Sequence, residues 1–402
     1  MLIRYKQGID GLDAVAHVYS REENKIDSSM VDRSAVTVIR RLTDAGYESY
    51  LVGGAVRDMI LGRRPKDFDI ATAASPRQVH KLFYNSRIIG RRFRLVHITF
   101  GKQIIEVSTF RSTREHEGPT DNEFGTIEED SSRRDFTINS LYYDPIKGSL
   151  IDFNNAINDF RDKKIVSLIP LNRTFIEDPV RMIRAVKYSV TTGFKIPFQL
   201  SMAIRHYAPL IAEVSTSRMT EEVNKILACG CSSAIFEKLH QYKLLVYMLP
   251  AISVYARYPQ MFDSLRALDA EIEASHGEGA KEITKAQMYL ALAKSFITRN
   301  EELTTGMEIF ADTLRQIKVL LSPITPPNYE IESAAALYMA GEGLKVPKGA
   351  IRHRNPEAPQ RSQGQRNIRN KTDAPAPAPK KRHRHRKKPE TLGKGQSAGQ
   401  KS

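Results

Sequence analysis

Residues 51–70, LVGGAVRDMILGRRPKDFDI, constrain this chain more than any other stretch. Gly53 and Gly54 stand between a β-leaning apolar run, residues 49–52, and a helical run, residues 56–61, that Gly62 can terminate. Glycines ahead of a helix let backbone N–H groups approach a phosphate closely, and the helix dipole favours an anion there. Arg57 falls in the first turn of that helix, where a guanidinium can add a bidentate phosphate contact. Further on, Asp67-Phe68-Asp69-Ile70 alternates as a strand does, so the two aspartates share one face and the two apolar side chains the other. Carboxylates so placed repel each other unless a cation sits between them. Mg²⁺, with Mn²⁺ as the alternative, is commonly held by one or two carboxylates plus substrate phosphates. The stretch therefore reads as a metal-dependent nucleotide site.

Charge is distributed unevenly over the 402 residues, a length sufficient for two or three domains. Of the formal net charge of +15, residues 346–402 carry 16 Lys/Arg against 3 Asp/Glu, leaving only +2 on the first 345 residues. A polyanionic partner follows from that asymmetry. The basic run is Lys380, Lys381, Arg382, Arg384, Arg386, Lys387 and Lys388, preceded by PAPAP at 375–379. With few apolar residues, residues 346–402 are expected to be a disordered basic tail that binds RNA electrostatically. His383 and His385 alternate with arginine, which disfavours a metal site, and nuclear-targeting signals share the same composition. Cys229 and Cys231 are too few and too close for a disulfide framework or a zinc site, and are expected as buried or neutral thiols of a reducing compartment. No N-terminal apolar h-region and no run of roughly 18 apolar residues is present, so the expectation is a cytoplasmic protein with no membrane contact.

Taken in order, residues 1–30 read as a polar N-terminal arm and residues 31–45 as a helix stopping near Gly46. Ser75-Pro76-Arg77-Gln78 has the register of a capping box with Pro at N1. Residues 91–100 and 103–110 alternate and form a hairpin about Gly101-Lys102. Glu106 interrupts the second strand and is either a third carboxylate of the metal site or an arginine partner in the fold. Residues 112–129 read as an acidic loop, serving as a lid or as ordinary surface. Arg133 and Arg134 fit either a structural salt bridge or a triphosphate or ribose contact. From about Asp152 the pattern is helical, with Asp178-Pro179 opening a helix on which Arg181 and Arg184 share a face. Further helices are expected over 200–210, 220–227, 234–249, 261–272 and 285–296, with Cys229-Gly230-Cys231 as a connection.

A phosphate cradle, paired aspartates and following arginines form the inventory for in-line attack of a hydroxyl on an α-phosphate. Together, Gly53-Gly54…Arg57-Asp58…Asp67-Phe68-Asp69, then Arg133-Arg134-Asp135-Phe136-Thr137-Ile138-Asn139, then Glu177-Asp178-Pro179-Val180-Arg181 resemble the successive motifs of the class II nucleotidyltransferases. That family comprises bacterial tRNA nucleotidyltransferases and poly(A) polymerases. Residues 88–97 and 104–111, and the basic tail, are similar to the poly(A) polymerase branch.

The resemblance implies an α+β protein. A polymerase-β-like head with a mixed sheet (31–150) precedes an all-α neck (151–215), an RNA-gripping body (216–345) and the tail (346–402). It implies that Asp67 and Asp69 bind Mg²⁺, and that Asp135 is a third active-site carboxylate or ribose contact. Gly53, Gly54, Arg57 and Arg134 would lie at the nucleotide, Asp178 and Arg181 would read the base edge, and Arg184 would help bind phosphate. The implied activity is addition of AMP from ATP to RNA 3′ ends by a monomer. No residue specifies a partner in the RNA-degradation machinery. The competing readings are a tRNA nucleotidyltransferase completing all or part of a CCA end, a non-catalytic RNA-binding protein on the same scaffold, and a DxD glycosyltransferase. The last leaves Arg133–Asn139 and Glu177–Arg181 unexplained.

Overall fold

The computed structural model describes residues 2–7, 12–90, 95–101, 103–112, 124–275 and 282–352. The basic run at 380–388 and most of the acidic segment after Ser112 lie outside the described residues. The chain divides into two units between Asn355 and Pro356, and every described residue belongs to the first.

A nine-stranded sheet organises the N-terminal part. Its strands are β1 (Leu2–Gln7), β2 (Leu12–Tyr19), β3 (Ser49–Val52), β4 (Asp69–Thr72), β5 (Ser86–Ile89), β6 (Leu95–Phe100), β7 (Gln103–Thr109), β8 (Tyr142–Asp144) and β9 (Ser149–Asp152). They lie in the order β1-β2-β9-β8-β3-β4-β7-β6-β5, with β4–β7 the one parallel pair among the described strands. Leu51, Ile70, Val96, Ile98, Ile105 and Val107 form the back face and meet α2 (Arg33–Asp44), α3 (Gly54–Ile60) and α4 (Pro76–Leu82). α2 starts where Asp32 accepts from the Ser34 N–H at 2.7 Å, and it buries Ala35, Val38, Ile39 and Leu42, one stripe at helical spacing. The capping box expected at Ser75 and Gln78 opens α4. On the front face a smaller apolar cluster includes Tyr50, Val52, Ala71, Phe110 and Tyr142.

The structure corrects several expectations. Residues 1–30 are not a loose arm: β1 and β2 form a hairpin that joins the sheet through β2 and β9, followed by α1 (Arg21–Asn24). An edge hairpin takes its order from main-chain pairing, so Leu2, Ile3 and Tyr5 can stay exposed while Ala16 is buried. The head does not end at 150, because β9 runs to Asp152 and pairs with β2 and β8. The end of the acidic segment is not loop: Thr126 and Glu129 form a capping box that starts α5 (Ile127–Ser132).

The helical region contains α6 (Ala156–Asp162), α7 (Leu171–Glu177), α8 (Val180–Thr192), α9 (Phe198–Tyr207), α10 (Thr216–Leu227) and α11 (Ser232–Gln241). It continues with α12 (Leu245–Met248), α13 (Pro250–Tyr255), α14 (Pro259–Ala274), α15 (Lys285–Ala293), α16 (Gly306–Leu321) and α17 (Asn328–Gly341). The single helix expected over 234–249 is broken after Gln241, where Lys243 takes a positive φ of 60°, and α12 follows as a separate short turn. The tail boundary also moves. Leu344 and Val346 pack on the helical core, Ala350 is buried, and the Arg352 N–H donates to Glu332 at 2.9 Å.

Asp152 ties sheet to helices. Its buried carboxylate ends β9 and accepts from the N–H groups of Asn154 (3.0 Å), Ala156 (2.9 Å) and Ile157 (3.0 Å), which order the first turn of α6. Asp152→Ala leaves these donors without their charged acceptor. It is expected to lower the unfolding free energy by about 2 kcal/mol, read as a reduced urea midpoint at unchanged slope.

Candidate active site

The register of β4 and β7 builds the acidic half of the site. Asp69 is the first residue of β4 and lies directly opposite Glu106, while His97 on β6 lies opposite Glu106 in turn. Directly paired residues share a face, so Asp69, Glu106 and His97 form a row across the front of the sheet. His97 Nε2 stands 3.3 Å from Glu106 Oε2. Asp67 and Asp69 are exposed while Phe68 and Ile70 are buried, as the alternation requires.

Asp69 opens to solvent, yet the protein packed around it withdraws much of the bulk water. That desolvation, followed by the charges of Glu106 and Asp67, raises its carboxyl to about 6. Arg134 and Lys225 of α10 act in the opposite sense on the same group. Lys225 carries no local sequence signal for this role, since its nearness to Asp69 depends on how α10 packs against the head.

Gly53 stands against this row. It adopts φ +67° and ψ −130°, a conformation nearly restricted to glycine, and a methyl group there would lie 3.9 Å from Asp69 Oδ2 and 3.8 Å from Arg134 Nη1. Gly54 begins α3, and a methyl group on it would meet Arg57 Nη2 at 3.6 Å.

Arg57 and Arg134 are held by the fold. Arg57 donates to Asp58 through Nε (2.9 Å) and Nη2 (2.8 Å) and to Asn139 through Nη1 (3.0 Å), and its guanidinium lies 5.0 Å from the Tyr188 ring centre. Arg134 donates to Tyr142 (3.1 Å), the Asn139 carbonyl (3.3 Å) and Asp130 (2.8 Å). Burial works against its charge, but Tyr142 and Asp130 more than offset that and hold it above the ordinary arginine value. Of the two readings open for Arg134, the structural ion pair is therefore present.

Asp135 is buried and fully engaged. Its Oδ1 accepts from the Phe136 N–H (2.8 Å) and from Asn139 (3.0 Å), and its Oδ2 from Arg184 Nε (2.7 Å). Burial alone would raise its carboxyl; the Arg184 charge and these hydrogen bonds prevail and keep it below the usual carboxylate value. The acid beside Asp69 across the sheet is Glu106, while Asp135 joins the head to α8.

Asp178 and Arg181 occupy the start of α8. Asp178 accepts from the Val180 N–H (3.2 Å) and from Arg218 of α10 (2.8 Å). Arg181 donates to the Thr174 carbonyl (3.0 Å) and Glu177 (3.1 Å). Tyr188 sits beneath both Arg57 and Arg184, at 5.0 and 5.4 Å. Sequence reasoning missed Tyr188 and Arg218, because an aromatic inside a helix and an arginine after a loop carry no local signature. Burial, with the charges of Arg133 and Arg134, holds Arg111 below the usual arginine value, and burial, with those of Arg134 and Arg181, does the same to Arg133. A polyanion entering among these guanidiniums would relieve that repulsion.

Hard oxygen donors beside clustered cations fit a divalent metal carrying a nucleotide triphosphate. Among the described residues no three potential ligands converge closely enough to hold an ion by themselves.

This α+β architecture, a mixed-sheet head followed by a helical region, is one the chain shares with nucleotidyltransferases. Residues 49–166 match the family described as the poly A polymerase head domain. Residues 193–255 match one described as the probable RNA and SrmB-binding site of polymerase A. Over 254 residues the chain is 41% identical to poly(A) polymerase I of Escherichia coli O6:H1, covering 59% of this chain and 54% of that one. Over 224 residues it is 34% identical to the CC-adding tRNA nucleotidyltransferase of Halalkalibacterium halodurans, covering 56% of each. It thus spans about half the length of the curated relatives it matches. Among solved structures, the Bacillus stearothermophilus CCA-adding enzyme in complex with CTP superposes with a TM-score of 0.51 at 25% identity, covering 78% of this chain and 83% of that one. These matches are consistent with the class II nucleotidyltransferase family.

The state of Asp69 sets a pH dependence. Its raised carboxyl is protonated below about 6, and only the ionised form is a good metal ligand. Mg²⁺ affinity, followed by calorimetry, should fall about tenfold per pH unit below that point and take up no further proton coupling well above it. Without metal, folding stability should decline as pH rises from the unfolded carboxylate value through about 6, since ionisation is costlier in the folded state.

Proposed function

We propose that this protein is a template-independent nucleotidyltransferase that adds AMP from ATP to RNA 3′ ends and releases pyrophosphate. The observation that carries the reading is the β4–β7 register, which sets Asp69 opposite Glu106 with Asp67 adjoining. Asp67 and Asp69 would hold Mg²⁺ or Mn²⁺ together with phosphate oxygens and water, with Glu106 beside Asp69 across the sheet. Bound there, a divalent ion neutralises phosphate charge and lowers the pKa of the attacking 3′-hydroxyl.

The remaining residues position and select. Gly53, with no side chain, leaves the approach to Asp69 open for phosphate. Arg111, Arg133 and Arg134 supply positive potential for the triphosphate. Asp178 accepts from the adenine amino group and Arg181 donates to a ring nitrogen, a protein-borne template for ATP. Their contacts with Arg218, Glu177 and Thr174 hold the pair in orientation before the base arrives. Arg184 acts through Asp135, fixing the head to the neck, and so positions Arg57 by way of Asn139.

Greater identity to poly(A) polymerase I supports AMP addition over CCA completion. The likeness to the CTP-bound CCA-adding enzyme favours the second reading, a tRNA nucleotidyltransferase. With Mg²⁺, the protein is expected to extend oligo(A) from ATP and to leave CTP unincorporated into tRNA lacking its terminus. The reverse pattern would sink the first reading. Asp69→Ala should reduce turnover by on the order of 10³-fold; retention of full biological activity by that variant would instead favour a non-catalytic RNA-binding protein.

The basic segment is assigned to RNA. Deleting residues 356–402, which spares the packed residues up to Arg352, should weaken RNA binding and flatten its dependence on salt while leaving the KM for ATP unchanged. An unaltered salt slope in filter-binding assays would contradict the assignment.

A further inference from the structure

The connection between α10 and α11 brings together Cys229 and Cys231, both partly exposed, with their Sγ atoms 3.2 Å apart. Gly230 between them takes φ +77°, reversing the chain so that both thiols fall on one side of the turn. A bulkier residue would be strained there, and a methyl group on Gly230 would also meet Ile272 at 3.5 Å. Neither sulfur is used to start the following helix. Asp269 of α14 does that, accepting from the Ser232 N–H (2.7 Å), the Ser232 hydroxyl (2.7 Å) and the Ser233 N–H (2.9 Å).

We propose that Cys229 and Cys231 are a redox-active dithiol, oxidised reversibly to an intrachain disulfide by peroxide-class or small disulfide oxidants. The close thiols are too short in sequence separation to serve as a stability framework, which leaves their chemistry as their distinguishing property. The two sulfurs are inequivalent. The hydrogen bond shared by the two sulfurs lowers the Cys229 thiol, whereas the same bond and then burial raise that of Cys231. Cys229 is thus the attacking sulfur and Cys231 the resolving one. With hydrogen peroxide, the Cys229 thiolate takes one oxygen to become a sulfenic acid and the other leaves as hydroxide. The Cys231 sulfur then attacks the sulfenic sulfur; the S–S bond forms, the S–O bond breaks, and the Cys231 proton leaves with the hydroxyl as water. Two electrons pass from the sulfur pair to the peroxide. The sulfurs must close from 3.2 Å to about 2.0 Å, a movement confined to the turn at Gly230.

These are the only cysteines in the chain, so an intrachain disulfide can have no other connectivity. The reduced full-length protein is treated with one equivalent of hydrogen peroxide, then analysed by free-thiol titration and intact mass. The expected result is joint loss of both thiols, a mass lower by two hydrogens, no crosslinked dimer, and full recovery with dithiothreitol. Cys231→Ser should instead accumulate a sulfenic acid on Cys229 that dimedone traps, whereas Cys229→Ser should react at least tenfold more slowly. Equal reactivity of the two single variants would overturn the assignment of roles. Over-oxidation of the wild type to sulfinic acid, intermolecular disulfides, or unreactive thiols in the folded protein would overturn the dithiol itself. Circular dichroism of each variant separates these outcomes from misfolding.

Discussion

The ion pair between Arg184 and Asp135 is the interaction on which the site's geometry depends. Asp135 lies in the segment leading from α5 to β8, and Arg184 lies on α8, so the pair joins the sheet-bearing head to the helical region. Asn139 extends the connection to Arg57 on α3, and the Tyr188 ring lies against both arginines. Glu222 of α10 receives Lys187 at 2.9 Å and lies 3.9 Å from Arg184, carrying the same network into the body. Burial of these charges is costly unless each is paired, and here the partners come from separate elements. Truncating Arg184 would leave the buried Asp135 carboxylate without its cation, the costly case for a charge held out of water. The network thereby specifies one arrangement of head and neck.

That arrangement matters because the acids and the Asp178–Arg181 pair proposed to read the base lie on different parts of the fold. Asp69 and Glu106 are set by strand register, a rigid local constraint. Asp178 and Arg181 are set by the start of α8, which is placed only through tertiary contacts. Catalysis by positioning and charge neutralisation is sensitive to small displacements. A buried ionic joint between the two halves fits such a requirement better than an apolar one, because its partners must meet in one orientation.

Electrostatics at the site is unbalanced in two opposite ways. The Asp69 carboxyl is raised by desolvation and by its acidic neighbours, whereas Arg111 is depressed by burial, Arg133 and Arg134, and Arg133 by burial, Arg134 and Arg181. Each imbalance would be relieved by a ligand of the other sign, a divalent cation in one case and a polyphosphate in the other. The free protein therefore stores repulsion on both sides that a metal–nucleotide complex would release.

The sequence by itself determined the local chemistry. Alternation in Asp67-Phe68-Asp69-Ile70, the capping box at Ser75, the hairpin about Gly101 and the glycine at position 53 were all legible, because each depends on a few neighbouring residues. The helical character after α6 was legible from apolar spacing, though not the break at Lys243. Tertiary structure decided what long-range pairing decides. It turned the polar N-terminal residues into a sheet hairpin and chose Glu106 as the acid facing Asp69. It also committed Asp135 and Arg134 to ion pairs and set Cys229 against Cys231. The physical reason is common to all of these. A charged or polar side chain looks the same in sequence whether its partner is a ligand or another residue, and only the packing of distant elements shows which it meets.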